Sequence, residues 1–176
     1  SLNNVAYFKA VGNIELSAAL EQSDEAVRSA LEVIKQNKLA DEADLSALER
    51  FFQPFLDVDN RIRDNEAKRD LYPRLDTRGF VHFQMGNYQR ALADLETAAN
   101  GYSKLLDERD KDVKLERAYP DPRRSEIKTA RERKGAAIIF YHRALAHEKL
   151  GHTAAAAADS KRVRELIGRD GDETLF

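Results

Sequence analysis

The chain has no cysteine in its 176 residues. That absence removes disulfides, thiolate zinc sites, iron–sulfur clusters and cysteine nucleophiles together, and it leaves the compartment open. Proline and glycine are scarce, at four and eight, so few positions interrupt a helix. No apolar run approaches the roughly 18 residues needed to cross a bilayer. The N-terminus also lacks the charged-then-apolar pattern of a signal peptide, so no membrane is expected, and the compartment stays unknown with only a weak lean to the cytoplasm. Charge of one sign is lacking as well: 31 acids against 29 bases leave a net of −2. A near-neutral molecule has no global field that would draw it onto nucleic acid or anionic lipid.

What is present is helical material. Ala, Leu, Glu, Arg and Lys are abundant, and a hydrophobic share of 42% suffices for one domain or one contiguous array. Leu75 to Gly86 places Leu75, Arg78/Gly79, His82/Phe83 and Met85/Gly86 at three- and four-residue steps, which predicts an amphipathic helix ended by glycine. Tyr88, Ala91, Leu92, Leu95, Ala98 and Ala99 continue the same period, with Asn87 as a candidate N-cap. Two helices joined by so short a turn lie antiparallel. An offset of 65 residues lays Gly151 on Gly86 and superposes a second copy, matching Arg143 to Arg78, Ala144 to Gly79, His147 to His82, Ala156 to Ala91 and Asp159 to Asp94. The chain therefore carries an internal repeat.

These residues resemble the tetratricopeptide-repeat (TPR) family, whose hairpin has a small residue midway along its first helix, a glycine then an aromatic at the turn, and alanines in its second helix. Gly79, Gly86, Tyr88, Ala91, Leu95 and Ala98 fit; Ala144, Gly151 and Ala156 fit in the second copy, where Thr153 and Ser160 replace the usual aromatics. Small residues are needed because helix axes roughly 8 to 10 Å apart leave no room for a side chain where backbones cross. Leu2 and Ala6 take the slots of Leu75 and Gly79 in a third, degenerate copy, whose Gly12 comes early and whose second helix is expected from Ile14 to Ile34.

The implied fold is all-α: a TPR-like superhelical array of about three antiparallel hairpins with elongated helices and an inserted helix. Its parts are a partial repeat at 1–34, an inserted helical segment at 38–72, the best-matching repeat at 75–104, a charged insertion at 105–136 and a degenerate repeat at 137–167. Leu45, Leu48, Phe51, Phe52, Phe55, Leu56 and Ile62 make the first insertion helical, interrupted near Pro54. Tyr119 to Pro122 predicts a turn in the second, followed by one long helix from Ser125 to Leu150. A repeat that starts at residue 1 with no cap before it suggests a piece of a longer protein.

No enzyme signature emerges, and neither metal nor cofactor is expected. His147 and His152 are five residues apart, whereas the zinc-protease motif needs histidines four apart on one helical face. His82 and His147 share one slot in the two copies, which argues for packing. Asp57 to Asn60 begins like a calcium loop, but Ile62 stands where the sharp bend requires glycine. Arg123, Arg124, Lys128, Arg131, Arg133 and Lys134 form a basic cluster interleaved with Glu126 and Glu132, a self-compensating surface rather than a nucleic-acid site.

In the family, first helices of successive repeats line a groove that receives an extended peptide or a partner helix. The resemblance places Asn3, Asn4, Tyr7, Thr77, Phe80, Gln84, Tyr141, His142, Leu145 and Glu148 there. A subclass clamps a C-terminal carboxylate with basic residues, but Asn3, Tyr7, Thr77, Ile138 and His142 occupy those slots, so a mixed aromatic and polar groove is expected. The implied function is a protein-interaction scaffold. The alternatives are a structural or oligomerising segment, with Phe51 and Phe52 as a homo-oligomer contact, and the regulatory arm of a larger enzyme.

Overall fold

A computed structural model describes residues 1–41, 53–115 and 122–172. Among these residues there are six helices and no strand: α1 (Leu2–Val11), α2 (Leu16–Asp41), α3 (Gln53–Gln84), α4 (Tyr88–Leu115), α5 (Pro122–Lys149) and α6 (Thr153–Ile167). The chain is all-α, and no described helix is long and apolar enough to cross a membrane.

The turns explain the pairing. The α3–α4 corner is a Schellman motif in which Asn87 N–H donates to the His82 carbonyl at 2.9 Å and Gly86 N–H to the Phe83 carbonyl at 2.9 Å. Gly86 sits at φ +77° and Gly151 at φ +75°, the left-handed region that disfavours a side chain. At the α5–α6 corner the same bonds run from His152 to His147 at 2.9 Å and from Gly151 to Glu148 at 3.1 Å. Gly12, by contrast, is still right-handed at φ −76°. At the α1–α2 corner the left-handed positions are Asn13, at φ 50°, and Glu15, at φ 46°, with Ile14 N–H donating to the Lys9 carbonyl at 2.9 Å. Asparagine tolerates that conformation, so the first hairpin keeps the turn without glycine at its centre.

Three boundaries differ from the sequence reading. α2 begins at Leu16 rather than Ile14 and continues past Ile34 to Asp41. The helix expected from Leu75 is the last part of a 32-residue helix that takes in 53–72. Pro54 lies in its first turn, where the missing N–H has no intrahelical partner to lose. Pro73 lies inside α3 without ending it, and Thr77 Oγ1 donates to the Pro73 carbonyl at 3.1 Å. Asp57 to Asn60 are therefore helical backbone and form no calcium loop. Phe51 and Phe52, and the Tyr119 to Asp121 part of the expected turn, lie outside the described residues. α5 matches the long helix expected from about Ser125.

Each helix packs against the next in sequence. α3 also packs on both α1 and α5, which sets α1, α3 and α5 side by side. One core cluster runs from Val27 and Ala30 of α2 through Leu71 and Leu75, Ala98 and Tyr102, Ile139 and Phe140, to Val163 of α6. Gly79 lies at a close crossing: a Cβ there would meet Leu95 Cγ at 2.8 Å and the Ala91 carbonyl oxygen at 3.1 Å. Ala144, in the same slot of the second copy, is buried.

Both copies also share an arginine clamp. Arg78 Nε and Nη2 donate to the two oxygens of Asp94, each at 2.7 Å, while Nη1 reaches Asp24 of α2 at 3.1 Å. Arg143 does the same to Asp159 at 2.8 and 2.6 Å and reaches Asn100 of α4 at 3.4 Å. Bidentate pairs of this kind fix direction as well as distance, so each arginine ties three successive helices together. The Asp94 carboxylate, more than any other neighbour, holds the Arg78 guanidinium above its ordinary pKa.

Candidate binding groove between α1, α3 and α5

Because α1, α3 and α5 lie side by side, the side chains between them enclose a cavity of about 380 Å³. α1 contributes Asn3, Asn4, Tyr7 and Phe8; α3 contributes Pro73, Asp76 and Thr77. α5 supplies Lys134, Gly135, Ile138 and Ile139. Asn3, Asn4 and Pro73 also border a second cavity of about 440 Å³ lined by Glu25, Asp70 and Arg74.

Beneath the groove lies a buried polar pair. Asp76 Oδ1 is 2.8 Å from His142 Nδ1, and a carboxylate can only accept, so the imidazole N–H donates. Phe80 stacks on the other side of that ring at 4.1 Å and 15°. Tyr7 stands 6.3 Å from both the Phe80 and the His142 ring. Burial first, and the Asp76 carboxylate second, push the Tyr7 phenol well above its ordinary pKa, so it keeps its proton. The pair joins α3 to α5 and sets the width of the groove floor.

Of the ten groove residues read from sequence, the structure brings Asn3, Asn4, Tyr7 and Thr77 together at the cavity. Phe80 and His142 line neither cavity and are corrected to core, exposing 6% and 0%, while Thr77 borders the cavity although it is itself buried and its hydroxyl donates to the Pro73 carbonyl. Gln84, Tyr141, Leu145 and Glu148 are not among the residues that line either cavity. Sequence reasoning missed Asp76, Ile139 and Lys134. Lys134 stands one turn before Ile138, which brings a cation to a groove expected to lack one. Its clue was position: it is the last member of the basic cluster and immediately precedes the apolar run of α5. Of that cluster, Arg131 and Arg133 are exposed, while Arg123, Arg124 and Lys128 lie outside the residues whose side chains are described.

His82 and His147 are buried within the hairpins rather than in the groove. Each is 8% exposed, and burial pushes both imidazoles below their ordinary pKa. The five-residue spacing of His147 and His152 does not keep them apart, because the left-handed Gly151 turns the chain back and places their Nδ1 atoms 3.2 Å apart. No group of three or more metal-ligating side chains occurs among the described residues.

No family model matches the chain. No curated protein and no solved structure matches it either.

Proposed function

We propose that this chain is a protein-interaction module, a TPR-like superhelical array of helical hairpins that holds a segment of another protein in the groove between α1, α3 and α5. The observation that carries the reading is the groove itself: an apolar floor of Ile138 and Ile139 with amide, hydroxyl and charged groups from Asn3, Asn4, Thr77, Asp76 and Lys134 around it. Such a surface suits an extended segment, whose backbone takes the amides and whose apolar side chain takes the floor. The repeated Schellman corners and arginine clamps support the array, since they set successive hairpins in the same way. The Asp76–His142 pair supports a site formed before its ligand arrives, which lowers the entropy lost on binding.

The test is a display selection of random peptides on the intact chain, compared with an Ile138→Asp/Lys134→Glu variant. Both positions lie at the groove and neither is fully buried, so helicity should survive. Selected peptides are expected to bind the parent and to lose at least about tenfold in affinity on the variant. A selection that yields no groove-dependent peptide would remove this reading.

A further inference from the structure

The groove shows a ligand one sign of charge. Asp76 and Lys134 are the charged side chains that line it. Asp76 is 5% exposed and accepts from the His142 imidazole, so its charge is buried and engaged. Lys134 is exposed and pairs with no carboxylate among the described residues. Arg131, three residues earlier, is also exposed and equally uncompensated. At about 3.6 residues per turn both stand within about 40° of Ile138 around α5, whereas the acid between them in sequence, Glu132, is about 120° away. One face of α5 therefore runs from apolar to basic as it leaves the groove.

The other side differs. In the second cavity Glu25 pairs with Arg28 at 3.1 Å and Asp70 with Arg74 at 2.5 Å, so neither carboxylate is left to attract a base. Unanswered charge lies on one side of the groove, and it is positive. Phe8, 71% exposed, and Ile138 supply apolar surface from α1 and α5. At about 1.5 Å of rise per residue, Lys134 is about 6 Å and Arg131 about 10 Å from Ile138 along the axis of α5. An extended segment advances about 3.3 Å per residue, so it covers that distance in about two to four residues.

We propose that the groove takes an acidic segment of its partner: a large apolar side chain seated against Phe8 and Ile138, with Asp or Glu about two to four residues away on the side that passes over Lys134 and Arg131. This rests on the groove being a peptide site, and it calls for acidic side chains rather than a chain-end carboxylate. The test is a selection of random peptides, flanked on both sides by Gly-Ser linkers, on the intact chain. Each sequence is scored for its loss on Ile138→Asp, which leaves both cations in place. Groove-dependent sequences are expected to be enriched in acids on one side of a leucine, isoleucine, methionine or phenylalanine. Synthetic copies with blocked ends are expected to lose about three- to tenfold in affinity at low salt when glutamate is replaced by glutamine. The same replacement is expected to cost nothing on an Arg131→Gln/Lys134→Gln variant, whose two changes fall at exposed positions. Groove-dependent peptides without an excess of acids overturn the proposal and leave the peptide site standing, whereas a selection with no groove-dependent peptide removes both. The proposal is also overturned if the loss on replacing glutamate is as large on the neutral variant, or if oligouridylate of matched charge competes as strongly as the acidic peptide.

Discussion

At the scale of single residues, Gly79 marks a close approach of α3 to α4. A methyl group added there meets the branching carbon of Leu95 and a backbone oxygen, neither of which can withdraw without moving a helix. Gly79→Ala is therefore expected to lower unfolding free energy by about 1–3 kcal/mol in a denaturant titration. A melting curve superposable on the parent's would show that α3 and α4 can separate at little cost. His82 and His147 make the other residue-scale prediction. Burial is the main cause that lowers both; Arg78 and Arg90 act in the same direction on His82, as Arg143 and His152 do on His147, while Asp94, Asp24, Asp159 and Glu96 oppose. Above pH about 6.5 both states are neutral and the histidines contribute nothing to the pH dependence. As pH falls through that value, the unfolded chain takes up protons that the folded one resists, so stability declines and then levels off below the folded-state pKa values. The thermal midpoint of the parent is expected to drop more between pH about 7.5 and 5.5 than that of His82→Gln/His147→Gln. Equal drops would assign the acid sensitivity to other groups.

At the scale of elements, hairpin geometry comes from two devices used twice, the left-handed corner and the arginine clamp. Arg78 and Asp94 form a bidentate pair, so removing Arg78 leaves the Asp94 carboxylate partly buried without its guanidinium, while removing Asp94 leaves Arg78 only its single contact to Asp24. A cycle of Arg78→Met, Asp94→Leu and the double variant is expected to give a coupling energy of about 1–3 kcal/mol. Additive losses would mean the pair is incidental to the packing. The corners differ: α1–α2 has asparagine where the other two have glycine in the left-handed position, and it adds a second left-handed residue, Glu15. Asn13→Gly is expected to stabilise by a few tenths to about 1 kcal/mol, whereas Gly86→Ala and Gly151→Ala each cost about 1 kcal/mol. If Asn13→Gly is destabilising instead, the asparagine side chain is needed at that corner.

At the scale of the whole molecule, the order of contacts predicts the order of opening. α1 is ten residues long, its buried residues are the alanines Ala6 and Ala10, and its Val5, Phe8 and Val11 are exposed, while α3 is enclosed by α1, α2, α4 and α5. Amide exchange is expected to be fastest in α1 and slowest in the centres of α3 and α5. Uniform protection across all six helices would contradict a stack with a loose leading end.

The helical class, the paired corners at Gly86 and Gly151 and the small residues at crossings could be read from the chain, because each depends on local propensity or on a pattern of a few residues. The 65-residue offset even places both arginines opposite both aspartates. Where α2 and α3 begin and end could not be read so well, since a helix in a stack is lengthened by the neighbours it packs against rather than by its own caps. The groove was half legible. Asn3, Asn4, Tyr7 and Thr77 follow from helical register, but register alone does not say which side of a first helix is sealed. Only the approach of α5 to α3 put Phe80 and His142 in the core, paired Asp76 with an imidazole 66 residues away in sequence, and left Lys134 at the rim. Local backbone preference is written in consecutive residues, whereas burial is a property of what three helices enclose between them.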